Sequence, residues 1–441
     1  MSPATGLNSP LLPDNHHKIE EKEKGTASLS GAVFNVSTSI IGAGIMSIPA
    51  TLKVLGVIPA FVLVMVIAWL AYISVEFLMR FTHAGEATTY GGVMREAFGP
   101  VGSMAVQVCV LIANLGCLIM YLIIMGDVLA GTVHEGSVHL GVLQEWFGIH
   151  WWNTRAFAML FVVVFVMLPL VLYRRIESLK FSSAISVLLA LVFVGISSGM
   201  AIYAIVQGNT KTPRMLPQLD DKASFFNLFT AVPVIVTAFT FHFNVHPIGF
   251  ELKQPSDMMS AVKVSLVLCA AIYFAIGIFG YLLFGESTMS DILVNFDQSS
   301  DTAIGALLND IVRLSYAFHL MPVFPLLNFS LRGNIDEFLF PNKPALAKDT
   351  SRFLSLTLSL LALIYVAAIA IPNIWYVFQF VGSTAAVSIA FIFPGAIVLR
   401  DVYKISTLRD RIMAAVMIVL AVVTSAIAIY TNIYSFVVAK S

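Results

Sequence analysis

From residue 29 onward the chain alternates long apolar runs with short polar interruptions. The runs match the roughly 20 residues that a helix needs to cross the hydrocarbon core of a bilayer. The pattern predicts eleven membrane-spanning helices, with cores at 31 to 52, 55 to 79, 101 to 131, 154 to 173, 181 to 207, 224 to 250, 258 to 284, 303 to 330, 352 to 371, 374 to 398 and 409 to 437. Between the second and third, ATTYGGVMREAFG is polar with helical spacing and predicts a short interfacial helix.

Two spans are interrupted. The first, SLSGAVFNVSTSIIGAGIMSIPAT, carries Gly42-Ala43-Gly44 at its centre and Pro49 beyond. The sixth, TAVPVIVTAFTFHFNVHPIGFELK, runs into Phe241-His242-Phe243-Asn244 and then Pro247 and Gly249. A free backbone N–H or C=O in hydrocarbon costs several kcal/mol, so a broken span persists where the freed groups line a cavity or hold a ligand. Amides at the start of a half-helix suit a carboxylate and carbonyls at the end of another suit an ammonium. The competing reading of Gly42-Ala43-Gly44 is close helix packing. Spans one and six are corresponding first helices if the chain is two five-helix halves plus one span, and paired interrupted spans point to a transport site.

Composition agrees with a polytopic membrane protein: 58% of the 441 residues are hydrophobic and 11% charged, against about 25% charged in soluble proteins. The zero formal net charge suggests no nucleic-acid partner. With the N-terminus placed in the cytoplasm, eighteen of the 25 Lys and Arg fall on the cytoplasmic side, six opposite, and Arg313 alone within a span. Residues 1 to 28 are polar, lack the pattern of a signal peptide, and read as a disordered cytoplasmic tail. Cys109, Cys117 and Cys269 all lie in apolar runs and predict packing rather than disulfides.

The segments FNVSTSIIGAGIMSIP, AVPVIVTAFTFHFNVHPIGFELK with MMSAVKVS after it, and IFGYLLFGES together resemble the amino acid/auxin permease family of the amino acid–polyamine–organocation superfamily. The resemblance covers residues 28 to 437, and plant vacuolar-type and sodium-coupled neutral amino acid transporters are most similar. It implies an all-α fold of eleven spans, a LeuT-type inverted repeat of five plus five with one more. The first repeat covers about 29 to 207, the second about 223 to 398, and the extra helix 409 to 437. It also implies alternating-access transport of amino acids with sodium or protons, in the vacuolar or plasma membrane. By the same resemblance Gly42, Ala43, Gly44 and Ile45 match the unwound stretch that holds the substrate, and Thr240, Phe241, His242 and Asn244 match the partner break. Sodium-coupled relatives carry an asparagine where this chain has Thr38, and a hydroxyl near the segment that here holds Ser315.

His319 follows Ser315 by one turn. An ionisable group at membrane depth is a functional candidate by default, and an imidazole exchanges protons near neutral pH. Proton coupling through His319 stands beside sodium coupling through Thr38 and Ser315, and beside a neutral histidine bonded between helices. Arg313 calls for a carboxylate, with Asp310 and Asp127 as candidates. His242 and His246 have metal-ligand spacing with Glu251 as a possible third ligand, which would make a membrane metalloenzyme; Pro247 and the scatter of the other histidines weigh against it. The expected reading is a monomeric transporter of neutral amino acids, with no enzyme activity and no cofactor beyond the co-transported ion. An amino-acid-sensing receptor is the other alternative.

Overall fold

The computed structural model describes residues 28–134, 137–172, 180–220, 222–297, 303–340, 343, 346–371 and 373–438. The expected N-terminal tail lies outside the described residues apart from Ser28. Ser28 caps the first helix, its hydroxyl accepting from the Gly31 N–H at 3.2 Å.

Among the described residues, nine helices are long and apolar enough to cross a membrane, and a bent pair makes a tenth. The pair is α1, Leu29–Ile40, and α2, Gly44–Leu55, which meet at 60°. Next come α3, Val57–Ala84, and α4, Tyr90–Ala130. The expected interfacial helix forms, capped by Thr89, and joins the third span across a kink at Gly99-Pro100. There Gly99 takes φ +70 and Pro100 has no N–H to continue the ladder.

A two-stranded hairpin pairing Thr132–His134 with Ser137–His139 was not expected. After it come the short α5, Val142–Phe147, and α6, Arg155–Val171. The latter coincides with the expected fourth span but is shorter than a full crossing, with a π-helical stretch at Val162–Met167. Then follow α7, Lys180–Gln207; α8, Ala231–Ala238; α9, His242–Glu251; and α10, Met258–Phe284. The series closes with α11, Ala303–Leu339; α12, Thr350–Ala370; α13, Ile374–Arg400; and α14, Leu408–Val438.

The half-helices pair crosswise. α2 packs on α8, α1 packs on α9, and α10 lies along both α1 and α2. The two breaks therefore sit side by side at the middle of the bundle. Apolar residues on every side, among them Ile45, Phe239, Phe241 and Tyr273, are fully buried. Outward faces carry exposed Phe, Leu, Val and Ile, such as Phe61, Leu358 and Val419, as a lipid-facing surface does.

Candidate functional site

The first break covers residues 41 to 43. Ile41 leaves the helix with φ −75 and ψ 105, and α2 restarts behind Ala43 with no side-chain cap. Among the described residues the N–H groups of Gly42, Ala43 and Gly44 find no hydrogen-bond acceptor. Neither Gly42 nor Gly44 adopts a positive φ. What Gly44 supplies is closeness: a Cβ there would lie 2.6 Å from the Ala238 Cβ and 2.9 Å from its Cα. Absence of a side chain lets the two interrupted spans touch backbone to backbone.

The second break falls at residues 239 to 241, two residues before the polar cluster that marked it in the sequence. The last turn of α8 is tightened: the Phe239 N–H is shared between the Ile235 and Val236 carbonyls, and the Thr240 hydroxyl donates to the Val236 carbonyl at 2.7 Å. His242 and Asn244 thus belong to the first turn of α9 rather than to the break.

Three tyrosines, none of them singled out by sequence reasoning, hold the breaks. The Tyr273 hydroxyl, from α10, lies 2.6 Å from the Ile40 carbonyl and 3.1 Å from the Ala238 carbonyl, bonding the end of α1 to the end of α8. Tyr316, from α11, donates to the Gly42 carbonyl at 2.7 Å. The Tyr121 hydroxyl, from α4, lies beside Gly42. Backbone groups freed by two broken helices are thus partly satisfied by phenols and partly left free, with three amides unpaired on one side. Free N–H groups at the start of a half-helix are donors of the kind an anionic group accepts from.

The sequence-selected residues divide into two sets. Gly42, Ala43, Thr240 and Phe241 lie in the two breaks, Gly44 is the first residue of α2, and Ile45 is fully buried just after it. Asn244 is half-buried; its backbone N–H donates to the Phe241 carbonyl at 2.8 Å, and its side-chain carboxamide makes no hydrogen bond among the described residues. His242 turns away, with its Nε2 2.6 Å from the Ser74 hydroxyl on α3. One turn on, His246 Nε2 lies 2.9 Å from the Thr82 hydroxyl. Each imidazole is tied to a separate hydroxyl of α3 instead of converging with the other.

Of the coupling candidates, Thr38 is exposed, and its hydroxyl bonds back to the Phe34 and Asn35 carbonyls of its own helix. Ser315 is buried and likewise bonds to the Val312 carbonyl. His319 is buried with its ring 4.9 Å from that of Tyr316, one residue removed from the Gly42 contact. Arg313 pairs with neither expected carboxylate. It reaches Glu145 on α5 at 2.6 Å and the Leu140 carbonyl, while Asp127 pairs with Arg155 at 2.8 Å and Asp310 accepts from the Trp146 indole. The reason is tertiary: α5 and the preceding hairpin fold back over this end of α11 and offer an acceptor more than 160 residues away in sequence.

Polar contacts close the bundle at both ends. At the hairpin end, the Lys53 ammonium at the end of α2 donates to the Thr288 carbonyl at 3.1 Å, and the Ser47 hydroxyl donates to the Ser290 carbonyl at 2.6 Å. Arg214 bonds the Lys53 carbonyl at 2.8 Å and both oxygens of Glu286. At the other end, Arg80 pairs with Asp410 at 3.0 Å and Arg411 with Asp401 at 2.9 Å, and Tyr403 donates to Glu96 at 2.8 Å. The Asp401 carboxyl is drawn below the usual carboxylate range: the Arg411 guanidinium and the Ile405 and Ser406 amides outweigh the desolvation that opposes them.

Comparison with known proteins identifies this architecture. A model of the transmembrane amino acid transporter protein family matches residues 25–436. The chain belongs to that family. Amino acid transporter AVT6C of Arabidopsis thaliana is 64% identical over 429 residues, covering 97% of this chain and 98% of the relative. Amino acid transporter AVT6D of the same plant is 60% identical over 437 residues, covering 99% of each. Among solved structures, MhsT in complex with L-phenylalanine superposes with a TM-score of 0.54 at 13% identity, over 92% of this chain and 99% of that one, a likeness of fold alone. The family resemblance carried by the first and sixth spans is borne out. The chain is a multi-pass membrane protein of a transporter family and not an enzyme, which sets aside the metalloenzyme reading of His242 and His246.

Proposed function

We propose that the protein is a secondary active transporter of neutral amino acids that works by alternating access, as five plus five inverted spans and one more, monomeric, with its N-terminus in the cytoplasm of a vacuolar or plasma membrane. The observation that carries this reading is the pair of adjoining breaks, with unpaired amides at Gly42, Ala43 and Gly44 and phenol-held carbonyls at Ile40, Gly42 and Ala238. The amides and the positive end of α2 receive the substrate carboxylate, and carbonyls released from the tyrosines receive its ammonium. Contacts made to the backbone recognise what all amino acids share, which fits a site that accepts several neutral side chains. The crosswise pairing of half-helices supports the inverted repeat, since each half-helix has its counterpart on the same side of the break.

Movement is required by geometry. With Gly44 against Ala238, and Ala43, Thr240 and Phe241 buried, substrate enters only when the half-helices part. The tethers at one end must open while those at the other stay closed. Proton coupling is favoured over sodium, because Thr38 stands where sodium-coupled relatives carry an asparagine and is exposed, while the His319 imidazole lies beside the Tyr316 latch.

The test is uptake into proteoliposomes with a panel of labelled amino acids under separately imposed proton and sodium gradients. Concentrative uptake of neutral amino acids with a proton gradient is expected, and its absence under both gradients refutes the reading. His319→Ala is expected to abolish proton-driven accumulation while one-for-one exchange of amino acids persists. Unchanged accumulation in that variant would remove His319 from the coupling step.

A further inference from the structure

The loop between α10 and α11 carries a carboxyl group that the transport site does not use. We propose that Asp291 is a proton-binding site that latches the hairpin-end gate: the loop over the substrate breaks closes with the Asp291 carboxyl protonated and opens when that proton leaves. The inference rests on the alternating-access reading above.

Asp291 is 2% exposed. Its Oδ1 accepts from the Leu293 N–H at 2.9 Å, and its Oδ2 is buried with no partner among the described residues. An ionised carboxylate with a buried oxygen that no protein donor reaches is strongly disfavoured, whereas the neutral acid carries no charge and turns that oxygen into a donor.

The surrounding charges do not relieve it. From α4, Asp127 adds a like charge. From α11, Arg313 acts in the opposite sense, but its guanidinium is bonded to Glu145 of α5 and to the Leu140 carbonyl. At the start of α6, Arg155 is committed to Asp127 and the Ala368 carbonyl. His139 of the hairpin faces Asp297 of the same loop, Lys53 of α2 faces the Thr288 carbonyl, and Arg214 is matched by Glu286. Among the described residues no cation forms an ion pair with Asp291. Burial first, and the Asp127 charge second, push its carboxyl up to about 8.

The position next to Asp291 is where the loop is fastened. The Ser290 carbonyl takes the Ser47 hydroxyl from α2, and the Ser290 hydroxyl donates at 2.7 Å to Asn373, whose side chain also caps the start of α13. Withdrawing the loop from α2 breaks the Ser47 contact and brings water to the neighbouring carboxyl. A hydrated Asp291 returns toward the ordinary value of 3.8. Its proton then passes to water on the hairpin side, leaving the carboxylate.

The sign follows from this difference. Between about pH 4 and about pH 8 the closed loop holds one proton that the open loop does not, so closure takes up a proton and is favoured by acid. Within that window each unit rise in pH disfavours closure about tenfold; below it both forms are protonated and above it neither is.

The test uses the full chain in proteoliposomes, with Ile292→Cys as a reporter buried beside Asp291. Labelling by a membrane-impermeant thiol reagent is divided by the rate for the same thiol in unfolded protein. The corrected rate is expected to rise about a hundredfold from about pH 6 to about pH 8 and to level off by about pH 9. Adding Asp291→Asn is expected to hold it at the slow, acid-like rate across the range. As a second variant, Asp127→Asn removes the like charge and frees Arg155, and should move the midpoint to lower pH. A flat rate in the reporter protein, the same rise with Asp291→Asn, or an unmoved midpoint with Asp127→Asn would each overturn the proposal. Amino-acid uptake by the unmodified chain is measured in the same vesicles. Its absence would count against the transport reading, while the labelling result still judges the proton site.

Discussion

Gly44→Ala is expected to disable transport while the protein still inserts and folds. The added Cβ would sit 2.6 Å from the Ala238 Cβ and 2.9 Å from its Cα, and the second of these is backbone that cannot rotate aside. Overpacking of this kind costs about 1 to 3 kcal/mol, which lowers occupancy of the closed state roughly 5- to 150-fold if the open state is untouched. Gly44→Val adds two more carbons and is expected to abolish uptake. Gly42→Ala is the informative comparison, because its Cβ meets only the Tyr121 hydroxyl at 3.0 Å, the far end of a side chain that can shift by a few tenths of an ångström. Its uptake is expected to fall only a few-fold, and Gly333→Ala, with nothing within 4 Å, should leave it unchanged. Vesicle uptake with size-exclusion profiles of each variant checks the series. Full activity of Gly44→Val would show that the closed contact between the two breaks is not on the transport path.

The second large effect is expected from Tyr273→Phe. The ring keeps its edge-on packing against Phe239, with centroids 5.2 Å apart, so little apolar contact is lost. What disappears is the hydroxyl that bonds the Ile40 and Ala238 carbonyls. Two buried acceptors then lose their shared donor, at about 1 to 3 kcal/mol for each left unsatisfied. Because the bond ties the end of α1 to the end of α8, the loss loosens the site itself. The expected result is a lower melting temperature and a raised KM for uptake, so that the loss of rate seen at low substrate is largely overcome by an excess of substrate. Tyr316→Phe removes one bond, to the Gly42 carbonyl, and should give a smaller loss of stability. A Tyr273→Phe protein with wild-type melting and KM would show that the hydroxyl does not hold the breaks together.

Much of the fold was legible in the chain itself. Apolar runs located ten of the eleven expected spans among the described residues, because hydrocarbon imposes one length and one conformation on every crossing. Gly42-Ala43-Gly44 located the first break for a local reason too, since its two glycines have a weak helix preference and give way where a span must yield. The second break was displaced in the sequence reading. Its non-helical residues are Phe239, Thr240 and Phe241, two of them aromatic, while the conspicuous His242 and Asn244 already belong to the next helix. Helix ends inside an apolar run have no sequence signal of their own, because Thr240 satisfies the tightened turn with its own hydroxyl.

Sequence by itself therefore determined the class of protein, the family, and which two spans are interrupted. These are properties of local pattern: run length, interruption, and a motif at each break. Tertiary structure alone decided how the site is held. It selected Tyr121, Tyr273 and Tyr316 from 13 tyrosines, sent Arg313 to Glu145, turned His242 toward Ser74, and set Asp291 bare-sided beside the loop's anchor. Most of these contacts join residues more than 100 positions apart. Nothing in the neighbouring sequence constrains them, and their partners are fixed only when packed helices leave each buried polar atom a short choice of neighbours.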